Sequence, residues 1–316
     1  MTADRTTRVP ITGTETEPPT REVARRLVAE QFPQWADLPV RDVDHSGWDN
    51  RTYRLGEELS VRLPRSGDYR EQVAKEQHWL PRLAPQLPVP IPRPVAQGRP
   101  GPGYPYDWSV YAWLDGAPAT TERIGDPVQF ARSVAAFSVA LRACDATDGP
   151  LPGQHNFWRG GPLEVYLPEA RAALATVSDE LSPDEMAQAA AILDRAAASA
   201  WRGAPVWFHG DLAYGNLLVR EGRLAAVIDF GTCGIGDPAC DVVLAWTLLS
   251  GPARAAFADG VDLDPDTWAR GRGWCLWKAL ITIVGSRDDD APAAEESRRV
   301  LRETLADPVR WPGPAD

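Results

Sequence analysis

Alternating apolar and polar segments between residues 206 and 231 constrain this chain more than any other part of its sequence. Three short apolar runs lie there, namely Val206-Trp207-Phe208, Leu217-Leu218-Val219 and Leu224 to Ile228. Short runs of this kind are typical of β-strands, and Glu221-Gly222 predicts a turn between the last two. We therefore expect a β-rich segment with polar side chains at the ends of its strands.

The polar residues of this segment have the spacing that phosphoryl transfer requires. Asp211 is followed five residues later by Asn216, and Asp229 begins an Asp-Phe-Gly sequence after the predicted hairpin. A carboxylate at Asp211 can orient an attacking hydroxyl and accept its proton. Asn216 and Asp229 offer oxygen ligands of the kind that Mg²⁺ binds. We expect the hairpin to bring these two side chains to one side of a shared cleft, with His209 bracing the loop rather than transferring protons.

The remaining patterns predict a β-rich region followed by a helical one. Helical spacing predicts helices over 20–32 and 68–83, and period-two alternation predicts strands near 43 and over 52–55, 59–63, 91–97 and 108–114. Further helices are predicted over 126–144, 182–201, 238–249, 268–284 and 292–305, the second of them opened by a capping box at Ser182. We expect a two-lobed α+β fold with a flexible tail over 1–19. A small antiparallel sheet with one internal helix would form residues 20–115, and a larger helical lobe residues 116–316.

Composition and charge exclude several classes of function. The chain has 316 residues, 44% of them hydrophobic, and can bury a core without disulfides, which agrees with four cysteines that form no C-x-x-C pair. Its net charge is -11, and residues 116–316 carry 18 basic and 28 acidic side chains. This balance disfavours nucleic acid and suits a cationic or neutral small molecule. No stretch is apolar enough for a secretory signal or a membrane span, so we expect a cytoplasmic protein that binds no membrane. The sequence leaves open whether it is a monomer or a homodimer.

The order of the polar motifs resembles the aminoglycoside phosphotransferase and choline kinase superfamily, whose fold is similar to that of protein kinases. The resemblance rests on H-G-D-x-x-x-x-N at 209–216, I-D-F-G at 228–231 and G-D-P-A-C-D at 236–241. Further matching segments are Ser46 to Asn50, Val61 to Arg65, Glu76 and Trp108 to Gly116. Each motif alone is weak, and their common order over about 43–246 is specific. The resemblance implies Mg²⁺-dependent transfer of the γ-phosphate of ATP or GTP to a hydroxyl of a small molecule.

The resemblance also implies roles for single residues. Asp211 resembles the catalytic base, Asn216 and Asp229 the metal ligands, and Asp241 a buried acid that supports the loop. The positions that resemble nucleotide-binding residues are Gly47, Asn50, Arg62, Glu76 and the hinge residues Ser109, Tyr111 and Trp113.

The small lobe departs from the kinase pattern at two places. Arg62 stands where kinases keep a strand lysine, and neither lysine of the chain, Lys75 or Lys278, lies on a predicted strand. An arginine keeps the charge and adds a fork of donors, whereas the alternative is an exposed arginine on an edge strand. We expect Lys75 to lie on an exposed helix face. Gly47 is the only glycine of its loop, which leaves open whether Asn50 caps a turn instead.

Acceptor recognition leaves the weakest mark on the sequence. Aminoglycoside kinases of the family hold substrate ammonium groups with carboxylates, and the candidates here are Asp288, Asp289, Asp290, Glu295 and Glu296. The alternative for such a charge run is a solvated surface. Trp274 and Trp277 share a helical face and would suit an apolar ring, although packing in the core is favoured. The sequence does not decide whether the segment 155–160 contacts the acceptor or is a buried loop anchor.

The sequence is compatible with several functions. The leading hypothesis is a kinase of an aminoglycoside-like antibiotic, acting in antibiotic resistance or antibiotic biosynthesis. The alternatives are a macrolide kinase, a metabolic sugar or amino-alcohol kinase, and a nucleotide-binding pseudokinase. The missing strand lysine favours the pseudokinase, whereas the intact set of Asp211, Asn216 and Asp229 disfavours it.

Overall fold

A computed structural model describes residues 19–44, 47, 49–286 and 292–307 of the chain. These residues divide into two compact units. The first contains the described residues among 1–86 together with Pro90–Asp115 and the short segment Asp229–Gly231. The second contains Leu87–Val89, Gly116–Ile228 and the described residues from Thr232 onwards.

An antiparallel sheet of five strands is the framework of the described part of the first unit. The strands are β1 (Val40–Asp42), β2 (Asn50–Leu55), β3 (Leu59–Pro64), β4 (Pro94–Gly98) and β5 (Trp108–Ala112). Their spatial order is β1-β2-β3-β5-β4, and Arg62 of β3 pairs with Thr52 on one side and Ser109 on the other. Because β3 is the middle strand, Arg62 is not the edge-strand arginine that the sequence left open.

Two helices flank this sheet in the described residues. Helix α1 (Arg21–Gln31) begins after Thr20, whose hydroxyl accepts a hydrogen bond from the N–H of Val23, and helix α2 (Arg70–Leu83) packs against β4 and β5. The apolar side chains of α1 and the sheet form one core, which includes Leu27, Tyr53, Leu55, Val61, Leu63, Trp108 and Val110. The predicted small antiparallel sheet with an internal helix is therefore confirmed.

The second unit is mainly helical. Its helices are α3 (Pro127–Ala143), α4 (Leu167–Thr176), α5 (Pro183–Ala197), α6 (Leu244–Thr247), α7 (Gly251–Val261), α8 (Pro265–Gly285) and α9 (Pro292–Ala306). Helix α8 packs against α4, α5 and α9, and its buried Trp268 makes edge-to-face ring contacts with Trp246 and Phe257. Among the described residues, no helix combines the length and the apolar character needed to cross a bilayer.

Two small sheets hold the polar segment within the second unit. Strands β6 (Ala117–Pro118), β8 (Leu217–Arg220) and β9 (Arg223–Val227) form one, and β7 (Val206–Phe208) pairs with β10 (Gly234–Gly236) in the other. The 209–216 loop therefore connects the end of β7 to the start of β8.

The structure corrects several predicted elements. The helix expected over 238–249 is a 3₁₀ helix, Pro238–Val243, followed by the single turn of α6. Asp237 and Asp241 both make buried tertiary hydrogen bonds there, and the tighter 3₁₀ geometry accommodates them. Helix α5 ends at Ala197 rather than near residue 201. Helices α4 and α7 were not predicted. The strands β6 and β10 were not predicted either, because Ala117–Pro118 and Gly234–Gly236 are too short to show a strand pattern.

The capping box of α5 provides a test of the local structure. Ser182 Oγ accepts the N–H of Glu185 at 3.3 Å, and the Glu185 carboxylate accepts the N–H of Ser182 at 2.8 Å. We predict that Ser182→Ala lowers the free energy of unfolding by about 1 kcal/mol, because the N–H of Glu185 loses its acceptor. Chemical denaturation measures this change. Ser182→Asn, which keeps a capping oxygen, should retain most of the stability, and equal losses in both variants would contradict the assignment.

Candidate active site

One buried carboxylate fixes the start of the 209–216 loop. The backbone N–H of His209 donates to Oδ2 of Asp241 and that of Gly210 donates to Oδ1, both at 2.7 Å. Burial raises the pKa of Asp241 above its ordinary value, although His209 and the two backbone donors act in the opposite direction. Asp241 thus lies where the resemblance implies a supporting acid.

A glycine and an arginine fix the next part of the loop. Gly210 has a φ of +85°, and a Cβ atom there would lie 2.6 Å from the carbonyl oxygen of Thr232, so a larger residue does not fit. The Gly210 carbonyl accepts a hydrogen bond from Nε of Arg159 at 3.2 Å. Asn156 is fully buried and accepts the N–H of Gly153 at 3.0 Å. Asn156 and Gly160 are buried and Arg159 holds Gly210, which agrees with the interpretation of 155–160 as a loop anchor.

His209 braces the loop with both ring nitrogens. Nδ1 accepts the N–H of Asp211 at 3.3 Å, so Nε2 carries the hydrogen that it donates to the carbonyl of Ile228 at 3.0 Å. The residue is fully buried. This placement agrees with the bracing role expected from the sequence and leaves the ring without a free nitrogen for proton transfer.

Asp211 is held between a lysine and an amide. Its Oδ1 accepts a hydrogen bond from Nζ of Lys278 at 2.7 Å, and its Oδ2 accepts one from Nδ2 of Asn216 at 3.0 Å. Burial alone would raise the pKa of Asp211, but Lys278 outweighs it, with smaller contributions from Arg159 and His209, and the pKa falls to about 2. The carboxylate is consequently ionised at neutral pH. Sequence reasoning missed Lys278, which lies 67 positions away on α8.

Asn216 directs its amide nitrogen at the loop itself. Nδ2 also donates to the carbonyl of Asp211 at 2.9 Å, so the amide oxygen is the atom of this side chain that is left for a cation. The backbone carbonyl of Asn216 accepts the N–H of Ile228 at 2.8 Å. The end of β9 and the loop are therefore tied together just before Asp229.

In the first unit, Arg62 joins two carboxylates. Its Nη1 lies 3.3 Å from both carboxylate oxygens of Glu76, and its Nη2 donates to Oδ1 of Asp229 at 2.8 Å. The hydroxyl of Tyr111 donates to the same Glu76 carboxylate. Burial would lower the pKa of Arg62, but Glu76 and Asp229 outweigh it and raise that pKa above its ordinary value. Arg62 and Glu76, two of the positions that resemble nucleotide-binding residues, therefore form an ion pair, and Asp229 is an additional partner.

Asp229 has an unusual backbone conformation. Its φ of +67° lies in the left-handed region, which Asp tolerates better than most residues and which clusters at functional sites. Next to it, the carbonyl of Gly231 accepts a hydrogen bond from Nζ of Lys75 at 2.6 Å. Lys75 is only 8% exposed, so the expectation of an exposed position is wrong. The reason is that α2 turns a polar face, with Lys75 and Glu76, toward the Asp229–Gly231 segment.

The remaining nucleotide-binding candidates are also in the first unit. A Cβ atom at Gly47 would lie 3.8 Å from Oδ2 of Asp229, so the backbone of Gly47 comes close to that carboxylate. Its neighbours Ser46 and Trp48 lie outside the described residues. Asn50 is buried and pairs with Pro64 as the first residue of β2, so it belongs to a strand rather than a turn.

The predicted hinge falls on β5 and the residue that follows it. Strand β5 is paired on both sides, and this pairing uses the backbone of Ser109 and Tyr111. Ser109 Oγ also accepts a hydrogen bond from Nε2 of Gln77 at 2.9 Å. The N–H of Trp113 donates to the carbonyl of Glu58 at 2.7 Å. The backbone of the predicted hinge is therefore engaged within the first unit as far as the N–H of Trp113.

The charged acceptor candidates fall into two groups. Asp288, Asp289 and Asp290 lie outside the described residues. Glu295 and Glu296 are on the surface of α9, where they pair with Arg302 at 3.5 Å and Arg299 at 2.6 Å. This arrangement is the solvated charged surface that the sequence left as an alternative.

The two candidate tryptophans are buried in the core and do not form an exposed surface for a substrate. Trp274 and Trp277 are 3% and 5% exposed, and their rings lie 5.6 and 4.2 Å from that of Tyr166. The guanidinium of Arg159 lies over both indoles, at 5.2 and 5.0 Å. Trp277 Nε1 donates to the carboxylate of Glu169 at 2.8 Å. The favoured core interpretation agrees with this burial, and the rings hold the arginine that anchors Gly210.

Comparison with known proteins assigns the family. The model of a phosphotransferase enzyme family, APH, matches residues 42–274, which is most of the chain. The chain belongs to this family and is a phosphotransferase acting on hydroxyl groups, as the motifs predicted. No curated protein matches the sequence.

Solved structures show the same fold. The complex of APH(2")-IIIa with GDP and kanamycin is 19% identical, with a TM-score of 0.71 over 90% of this chain and 98% of that chain. The ternary complex of APH(2")-IIa with streptomycin and ATP is 17% identical, with a TM-score of 0.56 over 89% and 95%. The macrolide 2'-phosphotransferase MphH from Brachybacterium faecium is 24% identical, with a TM-score of 0.55 over 91% and 98%. The expected protein-kinase-like α+β fold is confirmed.

The anchoring of the loop by Asp241 can be tested. We predict that Asp241→Asn lowers turnover by about 10²-fold, because an amide offers one acceptor where two N–H donors need one each, and the displaced loop misplaces Asp211. Steady-state kinetics with a hydroxyl acceptor measures this. Asp259→Asn, an exposed change on α7, is the matched control. Wild-type turnover in Asp241→Asn would show that the loop does not depend on this carboxylate.

Arg62 provides a second test. We predict that Arg62→Ala raises the nucleotide KM by about 10- to 100-fold, because a charge-assisted contact to phosphate is lost and two carboxylates are left unpaired. Arg62→Lys should restore part of this loss, since it keeps the charge without the fork. The exposed Arg41→Ala on β1 is the control. An unchanged nucleotide KM in Arg62→Ala would exclude Arg62 from nucleotide binding.

Proposed function

We propose that this phosphotransferase moves the γ-phosphoryl group of ATP or GTP to a hydroxyl of a small-molecule antibiotic, with an aminoglycoside as the first acceptor class. The observation that carries the proposal is an ionised Asp211 on a loop fixed by Asp241, His209 and Arg159. Neighbouring structures of the same fold were solved with GDP, ATP, kanamycin, gentamicin and streptomycin. We assign nucleotide binding to residues 20–115 and the acceptor to residues 116–316. A kinase that uses these nucleotides works where they are abundant, which makes the cytoplasm the expected compartment.

Asp211 serves as the base in this proposal. A general base must be deprotonated and within about 2.6–3.2 Å of the hydroxyl that it activates. The low pKa of Asp211 keeps the carboxylate charged, so its contribution is to orient the hydroxyl and to take the proton as the bond to phosphorus forms. The hydrogen bond from Asn216 holds the carboxylate in one orientation.

Mg²⁺ is the cofactor that this chemistry requires. Mg²⁺ binds through one or two protein oxygens with phosphate and water completing its shell, so a site without a cluster of carboxylates suits it. The described residues contain no group of three His, Cys, Asp or Glu side chains placed around a metal ion. The amide oxygen of Asn216 and the carboxylate of Asp229 are the oxygen donors that would hold it. When bound, the ion would neutralise charge on the nucleotide phosphates.

Arg62 supplies the fixed positive charge for the nucleotide. Its guanidinium is always protonated, and its two carboxylate partners hold the fork in one orientation. Asp229 accepts one of these hydrogen bonds through Oδ1, which leaves Oδ2 on the side of Gly47. An arginine can therefore take the place of the strand lysine of kinases.

A macrolide or another acceptor with few positive charges is the second candidate. Two cations, Lys278 and Arg159, act on Asp211, and such charges repel an acceptor with ammonium groups beside its reacting hydroxyl. The described candidate carboxylates, Glu295 and Glu296, are already paired with arginines. These observations favour testing macrolides and sugars beside aminoglycosides.

The test is acceptor-stimulated release of ADP or GDP in the presence of Mg²⁺. The panel contains aminoglycosides, macrolides, sugars and amino alcohols, each with ATP and with GTP. Release that depends on one acceptor class identifies the substrate. Nucleotide binding without release over the whole panel would contradict the proposed activity and favour the pseudokinase.

Asp211→Asn is the decisive variant. We predict a loss of turnover of about 10²- to 10⁴-fold with little change in nucleotide affinity, because the amide cannot accept the proton but keeps the size of the side chain. Single-turnover kinetics and nucleotide titration measure the two quantities separately. Asp259→Asn is again the control, and full activity in Asp211→Asn would remove this residue from the mechanism.

A further inference from the structure

In the function proposed above, Lys278 only keeps Asp211 ionised. It lies on α8 with a side chain that is 49% exposed, and its ammonium donates to Oδ1 of Asp211 at 2.7 Å. The 209–216 loop itself contains no lysine or arginine. A cation from a distant helix has therefore been placed on the carboxylate that activates the acceptor.

Structural support does not explain this contact. The loop is already fixed by Asp241, His209 and Arg159, and α8 is held by its buried tryptophans. Ion pairs between partly exposed side chains contribute little to stability. We therefore expect the contact between Lys278 and Asp211 to affect the reaction rather than the stability of the fold.

Both oxygens of Asp211 carry a donor in this structure. Asn216 donates to Oδ2 and is itself tied to the backbone of the loop, so it cannot move without the loop. Lys278 reaches Oδ1 through a flexible, half-exposed stem and can swing. Of the two donors, Lys278 is therefore the one that can move when an acceptor hydroxyl binds Asp211.

The geometry of transfer places the phosphoryl group near this ammonium. The attacking oxygen lies about 3 Å from the base and about 3–3.5 Å from the phosphorus in a reactive arrangement. A group that starts on Asp211 is thus within a short swing of the oxygens that gather negative charge during transfer. Arg159 cannot make this move, because its guanidinium is bonded to the Gly210 carbonyl and lies over two indole rings.

We propose that Lys278 is a catalytic residue that leaves Asp211 when the acceptor hydroxyl binds and then contacts a non-bridging oxygen of the transferring phosphoryl group. This role rests on the proposed function. In the step, the acceptor O–H bond breaks and its proton passes to Asp211, while the new bond between the acceptor oxygen and phosphorus forms. The bond from the γ-phosphorus to the β,γ-bridging oxygen breaks, and its electron pair stays on the nucleoside diphosphate. Lys278 keeps its protons throughout.

The experiment compares kcat and KM for wild type, Lys278→Met and Lys278→Arg. Methionine keeps the length of the stem and removes the charge. We expect Lys278→Met to lower kcat by about 10²- to 10³-fold, as expected for a lost charge on the transition state, and to change both KM values by less than about threefold. Lys278→Arg should recover about tenfold or more of the loss, because its fork can also bind a phosphoryl oxygen. Arg171→Met, which breaks an exposed ion pair with Asp194 on the same unit, is the matched control.

The outcomes separate the two proposals. If wild type shows no transfer, or Asp211→Asn is as active as wild type, the proposed function fails. If wild type is active, Asp211→Asn is not, and Lys278→Met keeps or exceeds the wild-type kcat, only the role of Lys278 fails. An increase would mean that Lys278 blocks the base rather than helping transfer.

Rescue by a small cation guards against a structural effect of the substitution. Ethylammonium should restore part of the turnover of Lys278→Ala, because the position is half exposed and the missing group is an ammonium. It should leave Arg171→Ala unchanged. Absence of rescue in a folded variant that still binds nucleotide would overturn the proposed role.

Discussion

The site depends on one buried carboxylate that receives two backbone N–H groups. Asp241 accepts from His209 and Gly210, and thereby fixes the two residues that precede the base. The ring of His209 then fixes Asp211, because it accepts the N–H of Asp211 and donates to the carbonyl of Ile228. The hydrogen bonds of Asp241 and His209 thus determine the position of Asp211.

Asp211, Glu76 and Asp229 each have a cation as a close partner. Lys278 keeps Asp211 ionised against the effect of burial, and Arg62 donates hydrogen bonds to Glu76 and Asp229 in the first unit. In both places the desolvation of charged groups is compensated by a close partner of opposite charge. The two contacts differ in mobility. The Arg62 side chain is only 13% exposed and bonded to two carboxylates, whereas that of Lys278 is half exposed and held by one hydrogen bond.

Much of this arrangement could be predicted from the sequence where the signal is local. The spacing of Asp211 and Asn216 fixes their relation on one loop, and the resemblance to kinases implied a common site for Arg62 and Glu76. The phosphotransferase family and the fold followed from the order of these motifs. The contacts that the sequence did not reveal join residues far apart along the chain. Lys278 reaches Asp211 over 67 positions, and Lys75 reaches Gly231 over 156.

Burial explains the remaining differences. Lys75 looked like a surface lysine because its helix is polar, but that polar face binds the carbonyl of Gly231. Trp274 and Trp277 could be assigned to one helical face from their spacing, and only the fold shows that Tyr166 and Arg159 cover it. A sequence pattern gives the face of a helix and not the partner that it meets.

The central claim is that a carboxylate at Asp211 directs a phosphoryl group to an acceptor hydroxyl. The most direct measurement uses a nucleoside triphosphate with a heavy oxygen isotope in its γ-phosphate and mass spectrometry of the acceptor. The account predicts that wild type yields an acceptor with one labelled phosphoryl group and that Asp211→Asn yields almost none in the same time. Label found only in inorganic phosphate, or equal labelling of the acceptor by both proteins, would contradict it.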